Sequence, residues 1–231
     1  MNFAEGEILA IYKPYEWTSF GVVAKVRNML TAKRHKKVKI GHAGTLDPLA
    51  TGVLIICTGK ATKKIEEIQR QTKEYIATLK LGATTPSFDM EQPEDGLFPI
   101  EHITKDLVIQ VLQKFIGRIE QVPPAFSACK VDGQRAYDLA RQGMEVTLKP
   151  KILEISEIEL LEYEQTSIKI RVVCSKGTYI RALARDIGLA LNSGAYLTAL
   201  ERTRIGQYKA EDCLRMENFK DWLDSIEIEE S

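Results

Sequence analysis

Apolar positions along the chain switch between the two-residue period of strands and the 3.6-residue period of helices. Apolar residues occupy every second position from Tyr75 to Leu81, which predicts a strand with one buried face. Thr18 and Ser19 offer an N-cap before apolar residues at positions 22, 23, 26, 29 and 30, which predicts a helix. The same two periods predict further strands at 8–11, 53–57, 155–163 and 168–174 and further helices at 62–69, 104–115 and 180–191.

This order of elements contains hairpins and helices but no regular strand–helix–strand repeat. It therefore predicts an α+β fold with a mixed, mostly antiparallel sheet flanked by helices. No internal repeat, low-complexity segment or linker divides the 231 residues. We expect one domain over residues 1–231, with an insertion at about 121–150 and an acidic tail at 209–231.

The composition suits a water-soluble protein with a sizeable core, since 44% of the residues are hydrophobic and 28% are charged. No run of about 18 apolar residues is long enough to span a membrane, and the first residues do not resemble a secretory signal. Four widely spaced cysteines indicate reduced thiols, so a cytoplasmic location is expected. The three histidines do not cluster, so no metal site is predicted.

Charge is distributed unevenly along the chain. Residues 1–80 contain 14 Lys and Arg against 7 Asp and Glu, whereas residues 209–231 contain 3 against 8. The densest basic run, KRHKKVK at 33–39, favours a surface for a polyanion, although a solvated loop would have the same composition. A second basic and aromatic stretch is either a nucleic-acid contact or a surface helical hairpin; it contains Lys130, Arg135, Tyr137 and Arg141.

The segment GHAGTLDPLATG at 41–52 contains a single charged side chain, Asp47, among three glycines and a proline. A tight turn explains this composition as well as a catalytic loop does. The alternatives for catalysis are weaker. TGKAT at 58–62 lacks the upstream glycine and the hydroxyl residue of a phosphate-binding loop, and no serine stands in a nucleophile elbow. Asp47 is thus the candidate nucleophile or base.

Five segments carry a further signal: KPYEWTSFGVVAKVR, GHAGTLDPLATGVLIICTGKATK, KEYIATLKLGATT, QVPPAFSACKVDGQRAYDLARQG and CSKGTYIRALARDIG. Together they resemble the TruB family of bacterial tRNA pseudouridine-55 synthases. They follow the family order and cover most of residues 8–206. The chain departs from the usual family pattern at Tyr12, at Glu16, where glycine is common, and in GATTPSFDMEQPEDG. About 25 residues follow Gly206, too few for the RNA-binding PUA domain that many members carry at the C-terminus.

The resemblance implies the pseudouridine synthase fold and a reaction, the isomerisation of uridine to pseudouridine at position 55 in the T-loop of tRNA. The target nucleotide would be flipped out of its stack. Because the glycosidic bond is broken and re-formed without a redox change, no cofactor is expected. The expected partner is the T-arm of tRNA, with no membrane, no obligatory protein partner and a monomeric enzyme.

The resemblance also assigns roles to individual residues. Asp47 matches the catalytic aspartate, and Arg181 matches the arginine that pairs with it. Tyr75 matches the tyrosine that stacks on the target base, and His42 matches the histidine that fills the space left by the flipped nucleotide. Further positions are Tyr179 and Leu200 in the nucleotide pocket and Lys36, Lys37, Lys130, Arg135 and Arg141 as candidates for the RNA backbone.

Each role has an ordinary structural alternative. His42 would then be a loop histidine, and Tyr75 and Leu200 would be core residues. Arg181 would pair with Asp186 or another acid on the helix surface. Two other functions also remain open: a guide-RNA-dependent synthase of the dyskerin type, and a non-catalytic RNA-binding or RNA-folding protein.

Overall fold

The computed structural model describes residues 1–127, 130–131, 134–136, 139, 142 and 148–229. The chain packs into two compact units. Unit 1 consists of Met1–Tyr75 and Glu201–Ser231, and unit 2 consists of Ile76–Leu200. The interpretation of the chain as a single domain is not decided by this division and stays a prediction.

The strands and helices of the described residues follow the expected mixture of hairpins and helices. The strands are β1 (Ile8–Lys13), β2 (Ile40–His42), β3 (Ala50–Thr58), β4 (Lys73–Leu81), β5 (Ala83–Thr84), β6 (Gly96–Leu97), β7 (Gly117–Gln121), β8 (Lys130–Val131), β9 (Gln134–Arg135), β10 (Lys151–Glu164), β11 (Ser167–Cys174), β12 (Ala195–Ile205), β13 (Tyr208–Lys209) and β14 (Leu214–Arg215). The helices are α1 (Ser19–Arg34), α2 (Ile65–Arg70), α3 (Lys105–Gln113), α4 (Ile180–Ala190) and α5 (Phe219–Ser225), with 3₁₀ turns at Gly59–Lys64 and Ala210–Asp212.

The sheet of unit 1 is built around β3. Its neighbours are β1 and β12, and β14 follows on the outer side of β1. β1 and β3 are antiparallel, with Lys13 opposite Gly52 and Ile8 opposite Cys57. This register places the end of β1 beside the beginning of β3, where the loop that carries Asp47 enters the sheet.

Two hydrophobic clusters pack on opposite faces of this sheet, because neighbouring residues of β3 point to opposite sides. Leu54 and Ile56 belong to the cluster that contains α1 and α5, while Val53 and Ile55 belong to the cluster that contains Ile68 of α2. Burial raises the pKa of the Cys57 and Cys213 thiols to about 11, so both are protonated at neutral pH.

The C-terminal segment is an integral part of unit 1. β14 pairs with β1 in parallel, and Phe219 and Leu223 of α5 are buried in the core with α1. Asp224 forms a 3.1 Å ion pair with Lys33. Residues 209–231 are acidic overall, but Phe219 and Leu223 anchor them in the core of unit 1. We call these two residues the C-terminal anchor, which the charge count did not predict.

Unit 2 contains the strand order β12, β4, β11, β10, β7. The predicted hairpin is present as β10 and β11, which pair antiparallel from Ile155–Cys174 to Glu164–Ser167. Burial alternates along β4, as its sequence predicts. In α4, Ile180, Leu183 and Ile187 are buried, also as predicted.

Two expected elements differ from the structure or lie partly outside its description. The helix predicted at 62–69 is divided into the 3₁₀ turn Gly59–Lys64 and α2. In the insertion, Lys130 and Arg135 are paired positions of the hairpin β8–β9, but their side chains are outside the described part. Tyr137 and Arg141 also lie outside the described residues.

Candidate active site

Asp47 lies half-buried in the loop between β2 and β3. The loop makes a tight turn just after it, in which the Ala50 amide donates to the Asp47 carbonyl at 3.1 Å. The turn chemistry read from the sequence is therefore correct. Three groups of unit 1 fix the backbone on both sides of Asp47.

The first group is the N-terminal end of α1. The Ser19 hydroxyl accepts from the Leu46 amide at 2.9 Å and donates to the Leu46 carbonyl at 3.0 Å. On the other side of Asp47, the Glu16 amide donates to the Pro48 carbonyl at 2.9 Å. These bonds hold the residues directly before and after Asp47.

Lys13 is the second group. Its side chain is completely buried, and the ammonium donates to the carbonyls of Pro14 at 2.8 Å, Trp17 at 2.6 Å and Pro48 at 3.2 Å. Burial lowers the pKa of Lys13 to about 8, while the charge of Asp47 acts in the opposite direction. Lys13 thus contributes a buried positive charge near the Asp47 carboxylate.

Arg202 is the third group. Its buried guanidinium donates to the carbonyls of Val53 at 2.8 Å, Gly44 at 3.1 Å and Thr45 at 3.4 Å. These carbonyls lie on both arms of the Asp47 loop. The backbone of Arg202 also approaches Gly52 so closely that a Cβ there, at a φ of +104°, would lie 2.2 Å from the Arg202 carbonyl oxygen. A glycine is therefore required at position 52 by the protein's own strand β12.

His42 and Tyr75 are the other predicted site residues of unit 1. His42 ends β2 opposite Ile56. Burial is the main cause that lowers the pKa of His42; a backbone hydrogen bond at Gly44 acts in the opposite direction, and the charge of Arg202 adds a smaller lowering effect. The imidazole is therefore neutral at pH 7. Tyr75 is buried on β4, 8% exposed, as the alternation predicts.

Arg181 occupies a buried position at the start of α4 in unit 2. It donates to the Ser87 carbonyl at 3.2 Å and the Phe126 carbonyl at 2.8 Å, and its Nε lies 3.6 Å from Asp89 Oδ2. Asp186, which the structural alternative names as a partner of Arg181, pairs with Arg185 at 2.8 Å. Asp89 is in turn held by the Ser87 hydroxyl and the Glu91 amide.

Tyr179 and Leu200 also belong to unit 2. Tyr179 is the N-cap residue of α4, and the Gln121 amide group binds its backbone at both ends, accepting from N–H at 2.9 Å and donating to C=O at 3.2 Å. Leu200 on β12 is half-buried. It is thus less enclosed than the core leucine of the structural alternative.

The basic run at 33–39 is only partly exposed. Arg34 and Val38 are buried, and Lys33 pairs with Asp224. Lys36 and Lys37 are exposed directly after His35, the left-handed C-cap of α1. Both predicted RNA-backbone candidates of this run are therefore accessible, although the run as a whole is not a continuous charged surface.

Sequence reasoning missed several residues that position the site. One of them left a detectable signal: Leu9, Ile11 and Lys13 occupy the same buried face of β1, so a lysine continues an apolar alternation. No comparable periodic signal marks the partners distant in sequence. The missed residues are Lys13, Ser19 and Arg202 in unit 1 and Asp89 and Gln121 in unit 2.

Within the described ranges, no group of His, Cys, Asp and Glu has the arrangement of a metal site. In the same part of the chain, no helix is long and apolar enough to cross a bilayer.

Solved structures define the class of protein. A Cbf5–Nop10–Gar1 complex matches with a TM-score of 0.75 and 31% identity, over 98% of this chain and 58% of the solved chain. An H/ACA ribonucleoprotein bound to a substrate RNA containing 2′-deoxyuridine matches with a TM-score of 0.70 and 29% identity, over 97% and 57%. The chain spans little more than half of these solved chains. The expected α+β pseudouridine synthase fold is confirmed.

Sequence comparison then gives the family. The N-terminal domain of TruB family pseudouridylate synthases matches residues 27–180, and the C-terminal domain of tRNA pseudouridylate synthase B matches residues 181–231. The tRNA pseudouridine synthase B of Phocaeicola vulgatus is 69% identical over 100% of this chain and 98% of its own length. That of Bacteroides fragilis is 64% identical, over 99% of both. The chain belongs to the TruB family.

Proposed function

We propose that this protein isomerises uridine to pseudouridine in tRNA, at position 55 of the T-loop. The observation that carries the proposal is the 69% identity, over the whole chain, to a protein named tRNA pseudouridine synthase B. The fixed geometry of the loop that carries Asp47 supports the proposal, since backbone atoms before and after this residue are bound by Ser19, Lys13 and Arg202.

In this proposal Asp47 is the catalytic carboxylate. The reaction breaks the bond from N1 to C1′ of the target uridine and joins C5 to C1′, and the carboxylate acts at the sugar. Because Ser19, Lys13 and Arg202 bind backbone atoms around Asp47, the loop does not have to reorganise when the substrate binds. Such preorganisation lowers the cost of reaching the transition state.

The remaining site residues receive roles in binding the flipped nucleotide. Tyr75 stacks on the target base, a contact worth about 1–3 kcal/mol for an aromatic side chain. His42 fills the space left by that base, and its low pKa suits this role because a neutral ring avoids burying a charge among bases. Arg181 supplies a positive charge for the catalytic step, and Tyr179 and Leu200 line the pocket that binds the flipped nucleotide.

The RNA backbone is held by cations outside this pocket. Lys36 and Lys37 are exposed and would neutralise phosphates by counterion release. We assign the same task to three residues of the insertion at 121–150, which are Lys130, Arg135 and Arg141. We further propose that the protein acts as a monomer in the cytoplasm.

A guide-RNA-dependent reaction is the second candidate, and the similarity to a solved H/ACA ribonucleoprotein favours it. The test is to incubate the purified protein alone with an unmodified tRNA transcript and to map pseudouridine at each uridine. We expect conversion at the T-loop uridine without any guide RNA. Conversion only after addition of a guide RNA would support the second candidate, and tRNA binding without conversion would indicate a non-catalytic protein.

A further inference from the structure

The exposed aromatic side chains of unit 1 are concentrated in one place. Among its described residues, only Tyr15, Trp17 and Phe20 are large hydrophobic side chains with more than a third of their surface exposed, at 48%, 37% and 67%. We call residues 15–20 the aromatic segment. Packing within the unit does not account for this concentration, because α1 buries Val22, Val23 and other residues but leaves Phe20 outside.

The aromatic segment is fastened to the loop that carries Asp47. One ammonium, that of Lys13, binds the carbonyls of Trp17 and Pro48 at 2.6 and 3.2 Å, so these two oxygens are at most 5.8 Å apart. The amide of Glu16 also donates to the Pro48 carbonyl. The rings therefore project from backbone that is tied to the residue following Asp47.

We propose that the aromatic segment is a stacking platform for unpaired bases that neighbour the target uridine in the RNA. This proposal rests on the proposed function and names a further contact of the same site. An unpaired base offers a π-face whatever its identity, and aromatic side chains bind such faces without sequence readout. RNA is the favoured occupant because the segment is continuous with the catalytic loop and belongs to the basic part of the chain, residues 1–80.

Tryptophan fluorescence tests this platform directly. The chain contains two tryptophans, and Trp222 packs against the core of unit 1, so Trp222→Phe leaves Trp17 as the sole reporter. We expect an unmodified T-arm hairpin RNA to quench Trp17, with the same saturation as binding followed by fluorescence anisotropy of labelled RNA. The matched variant Trp17→Phe, which retains Trp222, should show no such quenching.

Substitutions of Phe20 distinguish stacking of its ring on a base from a contact that any apolar side chain could make. Phe20→Leu should raise the Kd for the hairpin five-fold or more, whereas Phe20→Tyr, which keeps the ring, should stay within two-fold of wild type. Leu189→Ala serves as the control, because Leu189 is an apolar residue of similar exposure, at 63%, in unit 2. The kcat of Phe20→Leu should change less than two-fold, since the ring contributes to binding and not to the chemical step.

The outcomes distinguish this proposal from the proposed function. If wild type modifies tRNA but Trp17 is not quenched and Phe20→Leu binds like wild type, the platform is refuted and the function stands. If wild type neither binds nor modifies tRNA, the proposed function fails as well. Self-association of wild type in sedimentation that is lost in Phe20→Leu would assign the segment to a second copy of the chain and would overturn the RNA platform.

Discussion

Two buried arginines, one in each unit, use the same chemistry in different ways. Arg202 binds three backbone carbonyls that all belong to the Asp47 loop and its strand. Arg181 binds carbonyls of two segments that are distant in sequence, at Ser87 and Phe126, and it also faces the carboxylate of Asp89. Arg202 thus holds the backbone of one loop in place, whereas the positive charge of Arg181 is balanced by the negative charge of Asp89.

This difference predicts which property each arginine controls. Among the described residues, removal of Arg202 leaves no buried acid without a partner, but three carbonyls lose their hydrogen-bond donor. We therefore expect the protein to lose stability and the Asp47 loop to lose its geometry in the same variant. Removal of Arg181 leaves the buried Asp89 carboxylate without its cation, a defect that removal of the acid can repair. Stability and turnover can therefore be separated at Arg181 but not at Arg202.

The largest effect on stability is expected for Arg202→Met. The free energy of unfolding should fall by about 3–5 kcal/mol, because buried carbonyls lose their partners. Urea unfolding measures this change, and Arg204→Met is the control, since Arg204 is partly exposed and donates to one carbonyl, that of Gly206. An equal loss of unfolding free energy in the two variants would contradict the proposal that Arg202 stabilises the Asp47 loop.

Arg181→Met should cost about 3 kcal/mol of stability and at least 100-fold in turnover. In the double variant Arg181→Met with Asp89→Leu, most of the stability should return, because the unpaired buried charge is gone, while turnover stays low. Urea unfolding and single-turnover assays on both variants check this expectation. Recovery of turnover in the double variant would show that Arg181 only balances Asp89.

Lys13 should make stability depend on alkaline pH. Its folded-state pKa is about 8, below the ordinary value of 10.5, so between these pH values the unfolded chain keeps a proton that the folded chain releases. The free energy of unfolding of wild type, relative to Lys13→Met, should therefore rise by about 2–3 kcal/mol from pH 7.5 to 10.5. Urea unfolding of both proteins across this range measures the difference. A difference independent of pH would mean that Lys13 has an ordinary pKa.

The smallest effect is expected at Glu16, which stands at a φ of +64°. This left-handed conformation is strained for a residue with a Cβ. Glu16→Gly should stabilise the protein by about 0.5–1 kcal/mol, as measured by thermal unfolding. Glu16→Gln, which removes only the charge, should leave stability unchanged, and an equal gain in both variants would assign the effect to charge.

The period of the apolar residues was sufficient to predict those strands and helices that bury one face. The alternation in β4 and the helical spacing in α4 are direct consequences of burial. The C-terminal anchor was missed because α5 has only seven residues and carries acids beside Phe219 and Leu223. Short elements contain too few positions to show a period.

The residues of the candidate site also differ in how far the sequence predicts them. The segment at 41–52 made Asp47 a candidate because it is the only charged residue among turn residues, and the resemblance to the TruB family added the catalytic role, which stays a prediction. The supports of Asp47 could not be predicted, because Arg202 contacts carbonyls that lie 149 to 158 positions away, and a side chain that binds backbone leaves no complementary residue in the sequence. The pairing of Arg181 with Asp89, 92 positions before it, is hidden for the related reason that many other acids are available.

The central proposal is that the Asp47 carboxylate carries out the chemistry, whereas Lys13, Ser19 and Arg202 only position the backbone of its loop. Asp47→Asn tests this proposal most directly, because it removes the charge and keeps the shape of the side chain. We expect no measurable pseudouridine in an unmodified tRNA transcript, with tRNA affinity within a few-fold and unfolding free energy within about 1 kcal/mol of wild type. Turnover by the folded variant at a rate near that of wild type would contradict the proposal.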